Sequence, residues 1–212
     1  MEPFRQYLSE TEHATMALFE NLQFYLDLLA EIEHPIFVSS SADKEKREQE
    51  YDLWIKQNRN KILTAIEKGG KYFGYNISKS TICGSIIQIA FMAILHFSTN
   101  HNVPDYLANV VKKGSKPAKF CIGRKIRETE IGLIVYAGRN QYNHMDEKSY
   151  NKITTNIFTR LASHGYDGNI IDPAFDLNNS KITIYSSNII ALLGWSCYEN
   201  YITDMFDLLK DQ

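Results

Sequence analysis

Apolar residues return every three or four positions along most of this chain, and that spacing most narrows the folds open to it. Between residues 10 and 33, Leu18, Leu22, Tyr25, Leu26 and Leu29 fall on one side of a helix. His34-Pro35 ends that pattern, because the residue before a proline is pushed out of the helical region. A second helix, 42–68, opens on the capping candidates of "SSSADKEK" and stops at Gly69-Gly70. Its first half is dense in charge, the pattern of a solvated face, with a binding element as the other reading.

Further helices are predicted from Ser80 to about Ser98, Glu128 to about Met145, Glu147 to about Ser163, and 186–210, the last capped by Ser186 or Ser187. "HGYDGNIIDPAFDLNNS" reads as a loop, and "KITIY" at 181–185 as a short β element. No repeat and no Pro/Gly/Ser linker divides the chain. The expectation is all-α: one domain over 1–212, a bundle of about five to six helices.

At 212 residues such a domain can bury a real core, and 44% hydrophobic with 23% charged residues is an ordinary globular balance. A net charge of −2 leaves any nucleic-acid contact to a local patch. Cys83, Cys121 and Cys197 are odd in number and far apart, so neither a disulfide framework nor a C-x-x-C metal pair is suggested. The N-terminal "MEPFRQYLSETEHA" lacks the apolar core of a signal peptide, and the apolar run 82–97 is interrupted and short for a bilayer. A cytoplasmic protein without a membrane span is expected.

One stretch departs from the bland pattern. The apolar "IGLIVYAG" runs straight into "RNQYNHMDE", where an arginine, three amides and a histidine arrive within six positions. At about 100° per residue, Ile131, Ile134, Val135, Gly138, Tyr142 and Met145 make a core-facing stripe. Arg139, Asn140, Asn143 and His144 fall on the other side, with Asn140 and His144 an i,i+4 pair. One turn earlier the same side carries Gly132, Leu133 and Tyr136. That apolar shoulder reads either as the seam with a second copy, Gly132 letting backbones approach, or as packing on a helix of the same chain.

Histidine takes and gives protons near neutral pH, and arginine is a fixed planar fork for two phosphate oxygens. An amide beside them holds the ring or donates to the phosphate. This trio suits attack of an RNA 2′-hydroxyl on its own phosphodiester, which needs no metal.

Arg139, Asn140 and His144, spaced Arg-Asn-x-x-x-His, resemble the motif of the HEPN superfamily, whose ribonuclease members carry an arginine, a following polar residue and a histidine four to six positions after the arginine. The leading helix "IGLIVYAG" and the following "SYNKITTNIFTRLA" extend the resemblance over residues 80–163. It implies a helical bundle whose dimer joins two motifs in one composite site. Members are typically metal-independent endoribonucleases, many of them toxins or antiviral effectors. By resemblance Arg139 would stabilise the scissile phosphate, Asn140 position it, and His144 serve as acid-base group. Some members keep the bundle without catalysis, so a binding or adaptor module for RNA, nucleotide or protein is the alternative. The implied partners are RNA, a second copy and an antitoxin or regulatory protein, with no cofactor.

Residues 112–127 hold seven basic side chains and no acid, and Arg124, Lys125 and Arg127 lead into the motif helix. They read as a salt-sensitive phosphate-binding patch, with a solvated loop as the other reading. Asn143 joins them as a substrate-binding candidate. Glu128 and Glu130 are expected to complement the helix dipole. No zinc-binding His spacing, Walker loop or nucleophile elbow is present.

Overall fold

The computed structural model describes residues 2–30, 35–147, 149–163 and 171–210. Among them are six α-helices: α1 (Pro3–Ala30), α2 (Lys44–Phe97), α3 (Ile131–Asn143), α4 (Lys152–Ala162), α5 (Ser186–Leu193) and α6 (Tyr198–Leu209). Two-residue strands β1 (Lys125–Ile126) and β2 (Thr129–Glu130) pair antiparallel, Lys125 opposite Glu130 and Ile126 opposite Thr129. The protein is all-α with this one small β element. The expected helix end at residues 31–34 and the loop at 164–170 lie outside the described residues.

Four expectations are corrected, each for a local reason. Gly69-Gly70 does not stop the second helix, which runs on to Phe97 and is 54 residues long in all. A glycine ends a helix by turning left-handed, and neither of these does. Gly194 does, at φ 73°, and its N–H and that of Trp195 return to carbonyls of the last turn, so the expected helix 186–210 is two helices. The motif helix begins at Ile131 rather than Glu128, because Arg127 (φ 49°) and Glu128 (φ 56°) make the tight left-handed turn between β1 and β2. Residues 181–185 form no strand. The Gln141 side chain takes up their backbone instead, donating to Thr183 O at 2.8 Å and accepting from Tyr185 N at 3.0 Å.

The chain divides into two compact units, Met1–Leu22 with Ser80–Gln212, and Gln23–Lys79. In the first, Trp195, Tyr185, Tyr201, Phe120 and Phe158 are the bulk of the core. Phe4 and Phe19 of α1 reach α6, at 5.7 Å from the rings of Phe206 and Tyr201. The apolar run of α2 is sunk here, with Ile86, Ile87, Ala90, Ala93 and Ile94 buried. By length and composition α2 would also cross a membrane, but half of its apolar window is covered by the chain itself.

α2 and α3 cross antiparallel, and the contacts mark the register. A Cβ on Gly84 would stand 2.6 Å from the Tyr142 ring, Gln88 bonds Arg139, and Phe91 lies 6.1 Å from Tyr136. Ascending one helix by a turn means descending the other by a turn. That crossing, with α4 and α5 on α3's other sides, sets where the motif stands.

The second unit holds the end of α1 and the first 36 residues of α2. Phe37, Tyr51 and Trp54 cluster at 5.2 to 6.1 Å, and Tyr25 meets Tyr75 at 5.9 Å. None of its described residues is buried.

Candidate functional site

Arg139 leaves α3 one turn before its end and lies along α2. Its guanidinium sits 4.8 Å above the Phe91 ring, a cation–π contact that holds it flat. Nε donates to Gln88 Oε1 at 3.0 Å, and Nη1 to Asn140 Oδ1 at 3.3 Å. With its carboxamide oxygen turned to the arginine, Asn143 accepts from Nη2 and Nε, both at 2.9 Å. Three of the five N–H groups are thereby engaged, which leaves one on each terminal nitrogen for a ligand.

His144 follows the last residue of α3 as its C-cap, and its own N–H returns to Asn140 O and Gln141 O. Its imidazole is turned by a carboxylate that the sequence reading did not single out. Glu147 Oε1 lies 2.5 Å from Nδ1. With Nδ1 so engaged, Nε2 is the nitrogen left for a substrate, and the His144 side chain is 46% exposed.

Asn140 departs from the expected solvent face, being only 8% exposed. α3 is enclosed over most of its length, so Asn140 and Gln141 are buried and Arg139 half-buried, and only Asn143 at its end is exposed. Asn140 and His144 nonetheless meet, lining one cavity of about 100 Å³ with Glu147, Tyr150 and Asn151. The motif's three members thus come together: Arg139 hydrogen-bonded to Asn140, and Asn140 sharing a cavity with His144.

The apolar shoulder is corrected. Leu133 is wholly buried in its own chain. Gly132 does permit close approach, but of Phe120 and Ile122: a Cβ would stand 2.5 Å from Phe120 O, and its N–H bonds Ile122 O at 3.2 Å. Tyr136 is half-buried, its ring 5.1 Å from that of Phe120. Gly132 and Leu133 are spent inside the chain, while Tyr136 packs on Phe120 and keeps part of its surface open.

The basic stretch is corrected as well. Arg124 grips Asp204 through Nε and Nη2, at 2.9 and 2.8 Å, and donates to Leu193 O. Arg127 spans Leu161 O and Asp172 at 2.6 and 2.7 Å. Lys125 stands 3.5 Å from Glu130, and Lys119 donates to Leu95 O. Arg124 and Arg127 thus tie the β1 end of the stretch to α4, α5 and α6, while Lys112, Lys113 and Lys116 stay exposed. Burial pulls against ionisation of Asp172, but the Ala174 N–H and Arg127 outweigh it and hold the carboxyl below its usual range.

Glu128 lies in the turn, so only Glu130 stands at the start of α3. Buried Glu130 accepts from the Tyr106 hydroxyl, which burial and this carboxylate push far up. The same burial, then Glu130, raises the Cys121 thiol to about 12, so it is no nucleophile.

Gln88 had a trace in the sequence, as a lone amide within an apolar run. Glu147 sits at i+3 from His144, while Tyr150 and Asn151 depend on where α4 begins. The chain matches no protein-family model, no curated protein and no solved structure.

Proposed function

We propose that the chain is a metal-independent endoribonuclease, cleaving RNA by attack of a 2′-hydroxyl on the adjacent phosphodiester. The observation that carries this reading is the convergence of Arg139, Asn140 and His144, the residues of the HEPN-like motif, with Nδ1 of the histidine on Glu147. Nε2 takes or returns the proton. The two remaining N–H groups of Arg139 meet the phosphorane, and Phe91, Gln88 and Asn143 keep the fork oriented. A bacterial toxin or antiviral effector in the cytoplasm is the setting that the resemblance implies. A second copy would join at the exposed rim, around Asn143, His144 and Met145, since Gly132 and Leu133 are inside the chain.

Incubation with mixed RNA in EDTA tests the reaction. The expected products end in 2′,3′-cyclic phosphate. His144→Ala lowers the rate by about 10²- to 10⁴-fold with the fold intact by circular dichroism. Arg139→Lys also lowers it, since a point charge does not replace the fork. Cleavage that survives both changes removes the proposal.

One observation favours a second reading, a non-catalytic binding or adaptor module. Among the described residues between Phe24 and Ile77, twelve large hydrophobic side chains are exposed, Phe73 at 76% and Ile66 at 67% among them. Apolar surface gathered in this way marks a place where another molecule packs. RNA left intact in the same assay, with a partner captured through residues 23–79, would favour this reading.

A further inference from the structure

Asn140 has one hydrogen-bonding end that the reaction above does not use. Its Oδ1 is taken by Arg139, while Nδ2 has no acceptor among the described residues although the side chain is more than nine-tenths buried. A buried donor left unpaired loses its hydrogen bond to water without gaining another, so its place needs a reason.

The other walls of the cavity also offer donors. The Tyr150 hydroxyl accepts from Gln141 Nε2 at 3.2 Å, which leaves its own O–H proton to give. Asn151 is the N-cap of α4, an 11-residue helix, and its Oδ1 accepts from Thr154 N at 2.9 Å. The helix start adds a partial positive charge of about +0.5. Glu147, the one acid in the wall, is paired with His144. Donors gathered round a helix N-terminus, with the only carboxylate occupied, suit an oxyanion. At about 30 Å³ per water, the space equals roughly three waters, enough for one tetrahedral phosphate and too small for a base.

We propose that this cavity is a second phosphate subsite, taking the phosphate next to the scissile one along an RNA strand. The identity of the strand rests on the ribonuclease reading; the oxyanion chemistry does not. Arg139 is bonded to one end of the Asn140 carboxamide, and the cavity is assigned the other. The preferred substrate is therefore a polyribonucleotide with a phosphate beyond the bond that is cut.

Inorganic phosphate titrated into the full chain, followed by amide NMR, reads the subsite directly. Shifts are expected at the Tyr150 and Asn151 amides and the Asn140 side chain, and they persist in Arg139→Gln. Tyr150→Phe weakens binding about tenfold, the worth of one good hydrogen bond to an anion. Asn140→Asp abolishes it by replacing the Nδ2 donor with a second carboxylate beside Glu147; should that variant not fold, Tyr150→Phe decides. Shifts that avoid Tyr150 and Asn151, or that ignore Tyr150→Phe, overturn the proposal. A second arm compares cleavage of a trinucleotide that carries the extra phosphate with cleavage of a dinucleotide. The wild type prefers the former by about tenfold, and Tyr150→Phe loses that preference. Phosphate bound at these residues while RNA stays uncut keeps the subsite and discards the nuclease. RNA cut with the preference unchanged in Tyr150→Phe keeps the nuclease and discards the subsite.

Discussion

Two stretches of helix make the sharpest contrast in this molecule. α3 has 13 residues, of which nine are buried, both glycines and the amides Asn140 and Gln141 included. The first 36 residues of α2 bury none. Both contain glycines, and these separate the two environments. A Cβ on Gly132 would run into Phe120 O, and one on Gly138 would press on Ile189 at 3.2 Å. A Cβ on Gly69, Gly70 or Gly74 would meet nothing within 4 Å. The same residue type marks a forced close approach in one helix and a bare surface in the other. Helical spacing alone does not say what a helix face will touch.

The largest test of this contrast is a pair of leucine truncations. Leu133→Ala leaves a void in a full core and costs about 2–5 kcal/mol in chemical denaturation. Leu63→Ala, on an exposed face, stays within about 0.5 kcal/mol. Equal losses would mean that residues 44–79 are packed against something.

Next come the glycines. Gly132→Ala forces a methyl group against backbone that cannot yield cheaply, at a cost of about 1–3 kcal/mol. Gly70→Ala stabilises by about 0.5–1 kcal/mol, because alanine is the better helix former and nothing is in its way. A loss at Gly70 would show that a partner approaches that face.

The smallest effect concerns acid. Asp172 has a depressed pKa in the folded chain, so its tie to Arg127 contributes fully above the unfolded carboxylate value and is lost as pH falls through the lower, folded value. A thermal melt followed from neutral pH downward should show this contribution fade only below about pH 4, and Asp172→Asn should remove that portion of the acid dependence.

Much of the helical plan was readable. The apolar spacing placed helical segments at 80–98, 128–145 and 147–163 and the motif at the end of its helix, but the first is the C-terminal part of α2 rather than a helix of its own, and the other two begin later, at Ile131 and Lys152. The helix stop at Gly69-Gly70 was misread because a glycine pair is compatible with a helix whenever its backbone keeps negative φ. The single last helix was misread for the converse reason, that Gly194 takes the left-handed turn. At the site, the adjacency of Arg139 and Asn140 was legible because neighbours in sequence stay neighbours in space. Gln88 as an anchor for Arg139 was not, since 51 positions separate them and only the α2–α3 crossing joins them. Within the basic stretch 112–127, the pairing of Arg124 and Arg127 was not legible, because their acceptors, Asp204, Leu193 O and Asp172, lie far along the chain.

By itself, the order of residues determined that the chain is helical and that an arginine, an amide and a histidine gather at one helix end, since both follow from local periodicity. Only the tertiary structure decided which polar groups are sealed in. It sealed Leu133 and Gly132 inside the chain, engaged Arg124 and Arg127 with Asp204 and Asp172, and left Asn140 Nδ2 without an acceptor among the described residues. Burial and hydrogen-bond partners are set by packing between segments distant in sequence, which no local pattern encodes.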